Sequence, residues 1–261
     1  MSTRSKTLIG ICALIVVGAL AAWAQRNAER RSTELTAVPI ESYPHDPRAF
    51  TQGLVFHGGI LYESTGQYGR SSIRRVDLET GQVLAARTLN QRLFGEGLAI
   101  HDDKLYQLTW KSGLAIVYDI ESLDVIETLR YDGEGWGLTY DGESLILSDG
   151  TPELRFLDPA TFEVRRRVRV MGANGPVANI NELEYVDGEI WANIWYEDVL
   201  IRVDPRTGNV VGTVDLSSLY AVPERDREQV ANGIAYDAAS SRLFLTGKYW
   251  PLLFEVDLVA E

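Results

Sequence analysis

Short segments rich in apolar residues recur five times along the chain. In four of the five copies an apolar residue follows a glycine near the start, and each copy closes on an aromatic or aliphatic residue. Apolar runs of four to eight residues that are bounded by turn signals are typical of buried β-strands. The five opening segments are residues 52–56, 96–100, 136–140, 181–185 and 232–236.

A turn rich in Gly, Asp or Ser follows each opening segment and leads into a second apolar strand. These second strands read ILYEST, KLYQLTW, SLILSDG, EIWANIW and RLFLTGK. A third strand ends in an aspartate in every copy, and a fourth, such as QVLAARTL or NVVGTVDL, completes the unit. An aspartate at a strand exit can cap the backbone amides of the following turn. The aspartates are Asp77, Asp119, Asp158, Asp204 and Asp257.

The repeats start at residues 52, 96, 136, 181 and 232, which are 44, 40, 45 and 51 residues apart. Four short strands repeated at such a period predict an all-β fold, a five-bladed β-propeller with four antiparallel strands per blade. The last unit lacks a fourth strand, and residues 36–43 form a strand-like run before the first unit. We therefore expect this N-terminal strand to close the last blade and to remove two open sheet edges.

The beginning of the chain differs from the rest in composition. Two basic residues precede an uncharged run, residues 7–24, that is rich in Leu, Ile, Val and Ala. Such a run is typical of an export signal, and it is also long enough to stay as a membrane anchor. We predict a signal peptide or N-terminal membrane anchor at 1–24, a linker at 25–34 and one β-propeller domain at 35–261. Both outcomes predict an exported protein, periplasmic or secreted, which residues 7–24 hold at the membrane if they are not removed.

Charge and cysteine content narrow the set of partners. The chain has 25 Lys and Arg against 37 Asp and Glu, and because residues 1–24 hold two of the bases and no acid, the remainder carries a formal charge of −14. This acidity argues against nucleic acid or an anionic membrane surface as the main partner. The only cysteine, Cys12, lies in the export segment, so the folded domain has no disulfide. None of the three histidines has a partner at metal-ligand spacing, so no metal site is predicted.

Equivalent positions of the five units should form rings around the axis of a propeller, because the first strand of each blade lines the central channel. First-strand starts and second-strand ends lie at the same end of a hairpin, so two such rings open on one face. Together they hold one carboxylate, one ammonium, three amides and three tryptophans, which predicts an aromatic-walled pocket for a small ligand. The first ring is Gln52, Glu96, Trp136, Asn181 and Asn232, and the second is Gly66, Trp110, Gly150, Trp195 and Lys248.

Dispersed motifs in all five units carry a family resemblance. They are YPHDPRAFTQGLVF at 43–56, YGRSSIR at 68–74, GEGL at 95–98, NELEY at 181–185, IWANIW at 190–195 and LTGKYW at 245–250. These motifs resemble the plant and bacterial type of glutaminyl-peptide cyclotransferase, a family of five-bladed propellers, over roughly residues 40–257. The resemblance implies an enzyme that converts the N-terminal glutamine of peptides or proteins to pyroglutamate and releases ammonia. We expect no cofactor for this reaction.

The resemblance also assigns residues to roles. Carried over by motif, the catalytic residues fall on Glu96, Asn181 and Lys248. In this reaction the α-amine attacks the γ-carboxamide of the same residue, and one carboxylate can accept the first proton and return it to the leaving ammonia. Lys248 and Asn181 are candidates to donate to the developing oxyanion. The substrate-binding positions that the resemblance implies are Phe50, Gln52, Trp110, Trp136 and Trp195.

Two other interpretations use the same fold. A non-catalytic periplasmic propeller module would bind a ligand without converting it. A metal-dependent, lactonase-like propeller hydrolase would need several inward carboxylates, and Asp149 and Glu182 lie one residue away from the two rings. Glu182 also replaces the glycine of the other four copies, and the sequence offers no reason for this change. We expect a monomer whose partners are peptides or proteins with an N-terminal glutamine.

Overall fold

The protein is built from short β-strands. The computed structural model describes residues 33–222 and 224–260, so the predicted signal or anchor at 1–24 and most of the linker at 25–34 lie outside the described residues. The first strand begins at Thr33, two residues before the predicted start of the domain. Within the described ranges, no helix has the length and apolar character needed to cross a bilayer.

The described residues form 22 strands. Their bounds are β1 Thr33–Pro44, β2 Thr51–His57, β3 Ile60–Thr65, β4 Ser72–Asp77, β5 Val83–Thr88, β6 Gly95–His101, β7 Lys104–Thr109, β8 Leu114–Asp119, β9 Val125–Arg130, β10 Leu138–Tyr140, β11 Leu145–Leu147, β12 Glu153–Leu157, β13 Val164–Arg169, β14 Met171–Gly172, β15 Gly175–Pro176, β16 Ile180–Val186, β17 Glu189–Ile194, β18 Val199–Val203, β19 Val210–Asp215, β20 Ala231–Asp237, β21 Arg242–Gly247 and β22 Leu252–Ala260.

Consecutive strands pair into antiparallel sheets. The strands β2 to β5, β6 to β9 and β10 to β13 each form a four-stranded sheet in chain order, and β14 pairs with β15 in a small hairpin. The remaining strands form one larger sheet in the order β16-β17-β18-β19-β1-β22-β21-β20. The first three units therefore have the predicted strand order, and the fourth and fifth units share a sheet.

Strand β1 joins those last two units. It pairs antiparallel with β22 from Leu35 to Pro44, so the predicted pairing of residues 36–43 with the last unit is present. It also pairs parallel with β19 through Thr33–Thr36, which the sequence did not predict. The start of β1 lies next to the outer edge of β19, and its backbone groups satisfy the hydrogen bonds of that edge.

Four of the five predicted turn aspartates cap the turn that follows the third strand. The carboxylate of each accepts a backbone N–H bond: Asp77 from Thr80 at 3.0 Å, Asp119 from Ser122 at 2.8 Å, Asp158 from Ala160 at 2.8 Å and Asp204 from Arg206 at 2.8 Å. Asp257 lies instead inside β22, where it pairs with Val38. Its prediction as a turn residue is wrong, because β22 runs on to follow β1.

Burial decreases from the first strand of a unit to the fourth. The first and second strands are mostly buried, as in β2 and β3, whereas the fourth strands β5, β9 and β13 are largely exposed. The first strands contact one another in cyclic order, β2 with β6, β6 with β10, β10 with β16, β16 with β20 and β20 with β2. The most apolar strands of each unit therefore share a central position.

Glycines near the start of the first strands allow this close contact. A Cβ atom on Gly53 would lie 2.5 Å from the Leu98 nitrogen of the next first strand, and one on Gly97 would lie 2.5 Å from the Leu138 nitrogen. Gly97 N–H also donates to the Trp136 carbonyl at 2.6 Å. A side chain at these positions would force neighbouring strands apart, which explains the recurring glycine.

The fourth unit has Glu182 at this position, and its side chain binds two other first strands. One carboxylate oxygen accepts the Leu54 N–H at 3.2 Å, and the other accepts the Ile234 N–H at 3.0 Å. Glu182 is fully buried. Burial raises the pKa of its carboxyl well above the ordinary range, and the nearby Glu184 carboxylate raises that pKa further. Glu182 thus connects the first strands of three units through hydrogen bonds at the centre.

Replacing Glu182 with glutamine should lower stability. Glutamine keeps one acceptor oxygen, but its amide nitrogen cannot accept the second backbone N–H. We expect Glu182→Gln to lower the free energy of unfolding in urea by about 1–3 kcal/mol, the cost of one buried unpaired donor. The control is Glu163→Gln, at an exposed position, which should change stability by less than about 0.5 kcal/mol. Equal stabilities for the two variants would contradict the bonding role of Glu182.

Candidate active site

One cavity of about 200 Å³ opens where the first strands begin and the second strands end. All eight residues that the sequence predicted for the site line this cavity. Their placement agrees with the ring geometry, while their chemical roles remain predictions. The lining residues are Phe50, Gln52, Gln67, Phe94, Glu96, Trp110, Trp136, Asn181, Trp195, Glu228 and Lys248.

Hydrogen bonds at the strand ends fix the positions of the cavity side chains. The Trp110 N–H, just after β7, donates to the Phe94 carbonyl at 3.0 Å. In the same way the Trp195 N–H donates to the Asn179 carbonyl at 2.9 Å, and the Lys248 N–H donates to the Val230 carbonyl at 2.9 Å. In these three units the residue that follows the second strand therefore bonds to the residue two positions before the ring residue of the first strand.

Three ring positions do not line the cavity but support residues that do. Asn232 is fully buried, and its side-chain N–H₂ group donates to the Thr51 carbonyl at 2.9 Å and to Gln52 Oε1 at 3.4 Å. A Cβ atom on Gly150 would lie 2.6 Å from the Trp136 ring, and one on Gly66 would overlap the Phe94 ring. Both glycines of the second ring therefore make room for aromatic rings.

Burial controls the ionisation of the two charged residues in the cavity. Glu96 and Lys248 are 4% and 3% exposed. Burial raises the pKa of the Glu96 carboxyl well above its ordinary range; the Lys248 ammonium opposes this effect, and the Glu134 carboxylate adds to it. Burial also lowers the pKa of Lys248 to about 8, against the opposing effect of the Glu96 and Glu228 carboxylates. Among the described contacts Glu96 and Lys248 form no direct ion pair.

Asn181 presents an amide to the cavity. Its side-chain oxygen is buried and has no hydrogen-bond partner among the described atoms. Rotation of the amide by 180° exchanges this acceptor for the N–H₂ donor. The side chain can therefore accept an N–H from a bound group or donate to an oxygen.

Aromatic rings form the walls. Phe50 packs edge-on against Phe94 at a centroid distance of 6.1 Å, and Phe94 packs against Trp110 at 5.5 Å. On the other side Trp136 packs against Trp195 at 5.3 Å with the ring planes at 87°. Edge-to-face contacts of this kind fix the relative orientation of the rings, so the walls present a defined shape to a ligand.

Glu134 is a residue of the site that the sequence analysis missed. One of its carboxylate oxygens accepts the indole N–H of Trp110 at 2.7 Å and that of Trp136 at 3.0 Å. Lys111 contacts the other oxygen at 3.7 Å. A single carboxylate therefore orients two tryptophans from different units and adds negative charge near Glu96.

The repeat register contained the signal for Glu134 and also for Phe94. Both occupy the position two residues before the ring residue of their first strand, where the fourth and fifth units have Asn179 and Val230. Together with Phe50 of the first unit these positions form a third ring. Phe50 is its only member that the family resemblance had predicted. Gln67 and Glu228, the other two missed lining residues, lie in loops outside the repeat, so no register could have predicted them.

Comparison with known proteins confirms the family resemblance of the sequence motifs. The family model described as glutamine cyclotransferase matches residues 11–258. The chain belongs to the glutamine cyclotransferase family. It is 40% identical over 224 residues to a glutaminyl-peptide cyclotransferase of Arabidopsis thaliana. The aligned region is 84% of this chain and 70% of the relative.

A solved structure extends the likeness of this glutamine cyclotransferase family member to the whole fold. The crystal structure of Myxococcus xanthus glutaminyl cyclase is 42% identical and superposes with a TM-score of 0.83. The match covers 88% of this chain and 100% of the solved chain. The described strands therefore have the fold of a family member.

Removing the Glu134 carboxylate should loosen both tryptophans. We expect Glu134→Ala to weaken the near-UV circular dichroism of these two partly buried tryptophans. It should lower the free energy of unfolding by about 1 kcal/mol, since the carboxylate is partly exposed. Glu143→Ala, at an exposed turn, is the control and should leave the spectrum as in the native protein. A native near-UV spectrum for Glu134→Ala would contradict this positioning role.

Proposed function

We propose that this protein is a glutaminyl-peptide cyclotransferase, which converts the N-terminal glutamine of a peptide or protein to pyroglutamate and releases ammonia. The observation that carries the proposal is that one small aromatic-walled cavity contains both a buried carboxyl group, Glu96, and a buried amine, Lys248. Both the Arabidopsis thaliana relative and the Myxococcus xanthus structure are named for this activity. The substrates are peptides or proteins with an N-terminal glutamine.

The proposed fold is a five-bladed β-propeller whose last blade is closed by β1. The cyclic contacts of the first strands and the antiparallel four-strand units support this architecture. The order β20-β21-β22-β1 supplies the fourth strand that the last unit lacks. In such a ring the cavity lies on the axis, where all units contribute residues.

The proposed reaction is an intramolecular acyl transfer. The α-amine nitrogen attacks the γ-carboxamide carbon, the new C–N bond closes a five-membered ring, and the bond to the amide nitrogen breaks with loss of NH₃. Glu96 accepts the proton that the attacking amine loses and returns it to the leaving nitrogen, so the carboxylate is regenerated. A raised pKa suits both steps, because the group must give its proton back near neutral pH.

Lys248 and Asn181 stabilise the tetrahedral oxyanion in this proposal. A donor that points at a developing oxyanion is worth on the order of 3 kcal/mol in acyl-transfer enzymes. The aromatic walls hold the flexible glutamine side chain folded back on its own amine, which lowers the entropic part of the barrier. The substrate itself supplies the nucleophile, so no covalent enzyme intermediate is required.

The proposal extends the remaining sequence predictions to the whole chain. Residues 7–24 export the protein to the periplasm or the exterior as a cleaved signal or an anchor, and the enzyme acts as a monomer without a cofactor. Within the described residues, no group of three or more His, Cys, Asp or Glu side chains is placed to hold a metal ion. Activity that persists in a chelator would contradict the metal-dependent alternative.

Glu96→Gln tests the proton-transfer role. We expect turnover of a glutamine-initiated peptide to fall by a factor of about 10²–10⁴, the usual loss for a general acid–base group, because an amide cannot accept the proton. Ammonia release and the mass loss of one NH₃ measure turnover, and titration calorimetry measures peptide binding, which should persist. The control is Glu121→Gln, at an exposed position. Turnover of Glu96→Gln within a few-fold of native would contradict the proton-transfer role of Glu96.

The rate of cyclisation should have a bell-shaped dependence on pH. Because the pKa of Glu96 is raised, the rate should fall on the acid side well above the ordinary carboxyl range as the base becomes protonated. Because the pKa of Lys248 is lowered to about 8, the rate should fall on the alkaline side as the ammonium donor loses its proton. Lys248→Arg keeps a charged donor, so its residual activity should lack the alkaline limb. A native rate that does not fall on the alkaline side would contradict this assignment.

A further inference from the structure

A second cavity of about 310 Å³ lies directly beside the candidate active site. Phe50 and Gln67 line both cavities, so the two spaces share these side chains as part of their walls. Gln67 adopts a left-handed backbone conformation with a φ of 92°, which is uncommon for a residue with a side chain. The second cavity is lined by Asp46, Arg48, Phe50, Thr65, Gly66, Gln67, Arg70 and Arg74.

Positive charge predominates in this second cavity, which contains three guanidinium groups and one carboxylate. Asp46 accepts from Arg48 at 3.2 Å and from Arg74 at 3.0 Å, and the buried Glu63 contacts Arg74 at 3.6 Å. Arg74 is therefore already paired and forms part of the wall.

Arg48 and Arg70 are available to a ligand. The side chain of Arg48 is 88% exposed although it contacts Asp46. Arg70 is exposed, and its side chain has no ionic or hydrogen-bond partner among the described contacts. Two guanidinium groups with free N–H donors, in a chain with a net charge of −12, are suited to bind a carboxylate.

Glu228 gives the candidate active site a second carboxylate besides Glu96. Glu228 lines that cavity, and one of its carboxylate oxygens accepts from the Tyr196 hydroxyl at 3.2 Å. Glu228 is thus a carboxylate of the first cavity, whereas Arg48 and Arg70 line the second. Such a division gives direction to a charged chain that leaves the active site.

The path of a substrate chain connects the two cavities. If the N-terminal glutamine occupies the first cavity, the rest of the peptide must leave through its mouth. An extended chain advances about 3.3–3.6 Å per residue, so its second to fourth residues lie within reach of a neighbouring cavity.

We propose that the arginine-lined cavity is a subsite for a carboxylate of the substrate peptide. The carboxylate belongs to an Asp or Glu side chain at the second to fourth position, or to the C-terminus of a peptide of that length. This inference rests on the proposed function, and it names a substrate class, acidic peptides with an N-terminal glutamine.

The test compares matched peptides on the purified full-length protein. One set of peptides is Gln-Ala-Ala-Ala amide with a single alanine, at position two, three or four, replaced by Glu, Gln or Lys. A second pair compares Gln-Ala-Ala with a free C-terminus and the amide of the same peptide. At one position at least, we expect kcat/KM for Glu to exceed that for Gln by a factor of roughly three to ten, with Lys lowest, at low ionic strength. The preference should shrink with added salt, because exposed charges are screened. The free-acid pair shows whether a C-terminal carboxylate serves as well as a side chain.

The double variant Arg48→Gln/Arg70→Gln tests the residues. Its ratio of kcat/KM for the Glu peptide to that for the Gln peptide should fall toward one. The control is Arg206→Gln, a turn arginine that is 85% exposed and lies beyond the opposite end of the strands; this variant should keep the native ratio.

The possible outcomes separate this inference from the proposed function. Equal kcat/KM for Glu, Gln and Lys at every position, together with no difference in the free-acid pair, would overturn the subsite while cyclisation itself stands. A native ratio in the double variant would also overturn the assignment to these arginines. Failure to cyclise any peptide, neutral ones included, would overturn the proposed function and this inference together.

Discussion

The close approach of the first strands is the constraint on which the rest of the structure depends. Gly53, Gly97 and Gly137 have no side chain where the next first strand passes, so backbone lies against backbone. The fourth unit has the opposite solution, since the Glu182 carboxylate binds the N–H groups of two other first strands. With the strands held at this distance, their starting residues face a space too small for more than a small side chain or ligand.

The same packing that builds the cavity sets its acid–base chemistry. Burial disfavours charge, so it raises the pKa of a carboxyl and lowers that of an ammonium. The pKa of Glu96 is therefore raised and the pKa of Lys248 is lowered, so the two values approach each other. Burial outweighs the Lys248 ammonium in setting the pKa of Glu96, a balance that no sequence pattern specifies, because it depends on how much water the folded walls exclude.

The parts of the site that could be predicted are those fixed by strand register. A strand places its side chains by count along the chain, so the alignment of the five repeats located seven lining residues, and the family resemblance added Phe50. Glu134 and Phe94 lie two residues before ring residues of the first strands, in a third ring that also includes Phe50. Gln67 and Glu228 belong to loops of unequal length, whose paths depend on tertiary contacts and leave no periodic signal.

The strand order within each unit and the pairing of residues 36–43 with the last unit also followed from the repeat, whereas the parallel contact of β1 with β19 did not. Through β1, the last sheet joins the two ends of the described chain, with Leu35 opposite Ala260. Contacts between residues so distant in sequence form late in folding, because the loop between them must close first. A nascent chain therefore holds β1 without its antiparallel partner until β22 has been synthesised. The sheet that holds the fourth and fifth units is thus completed by a contact between the first and the last described strands, and the fifth unit does not have all its strand partners before that contact forms.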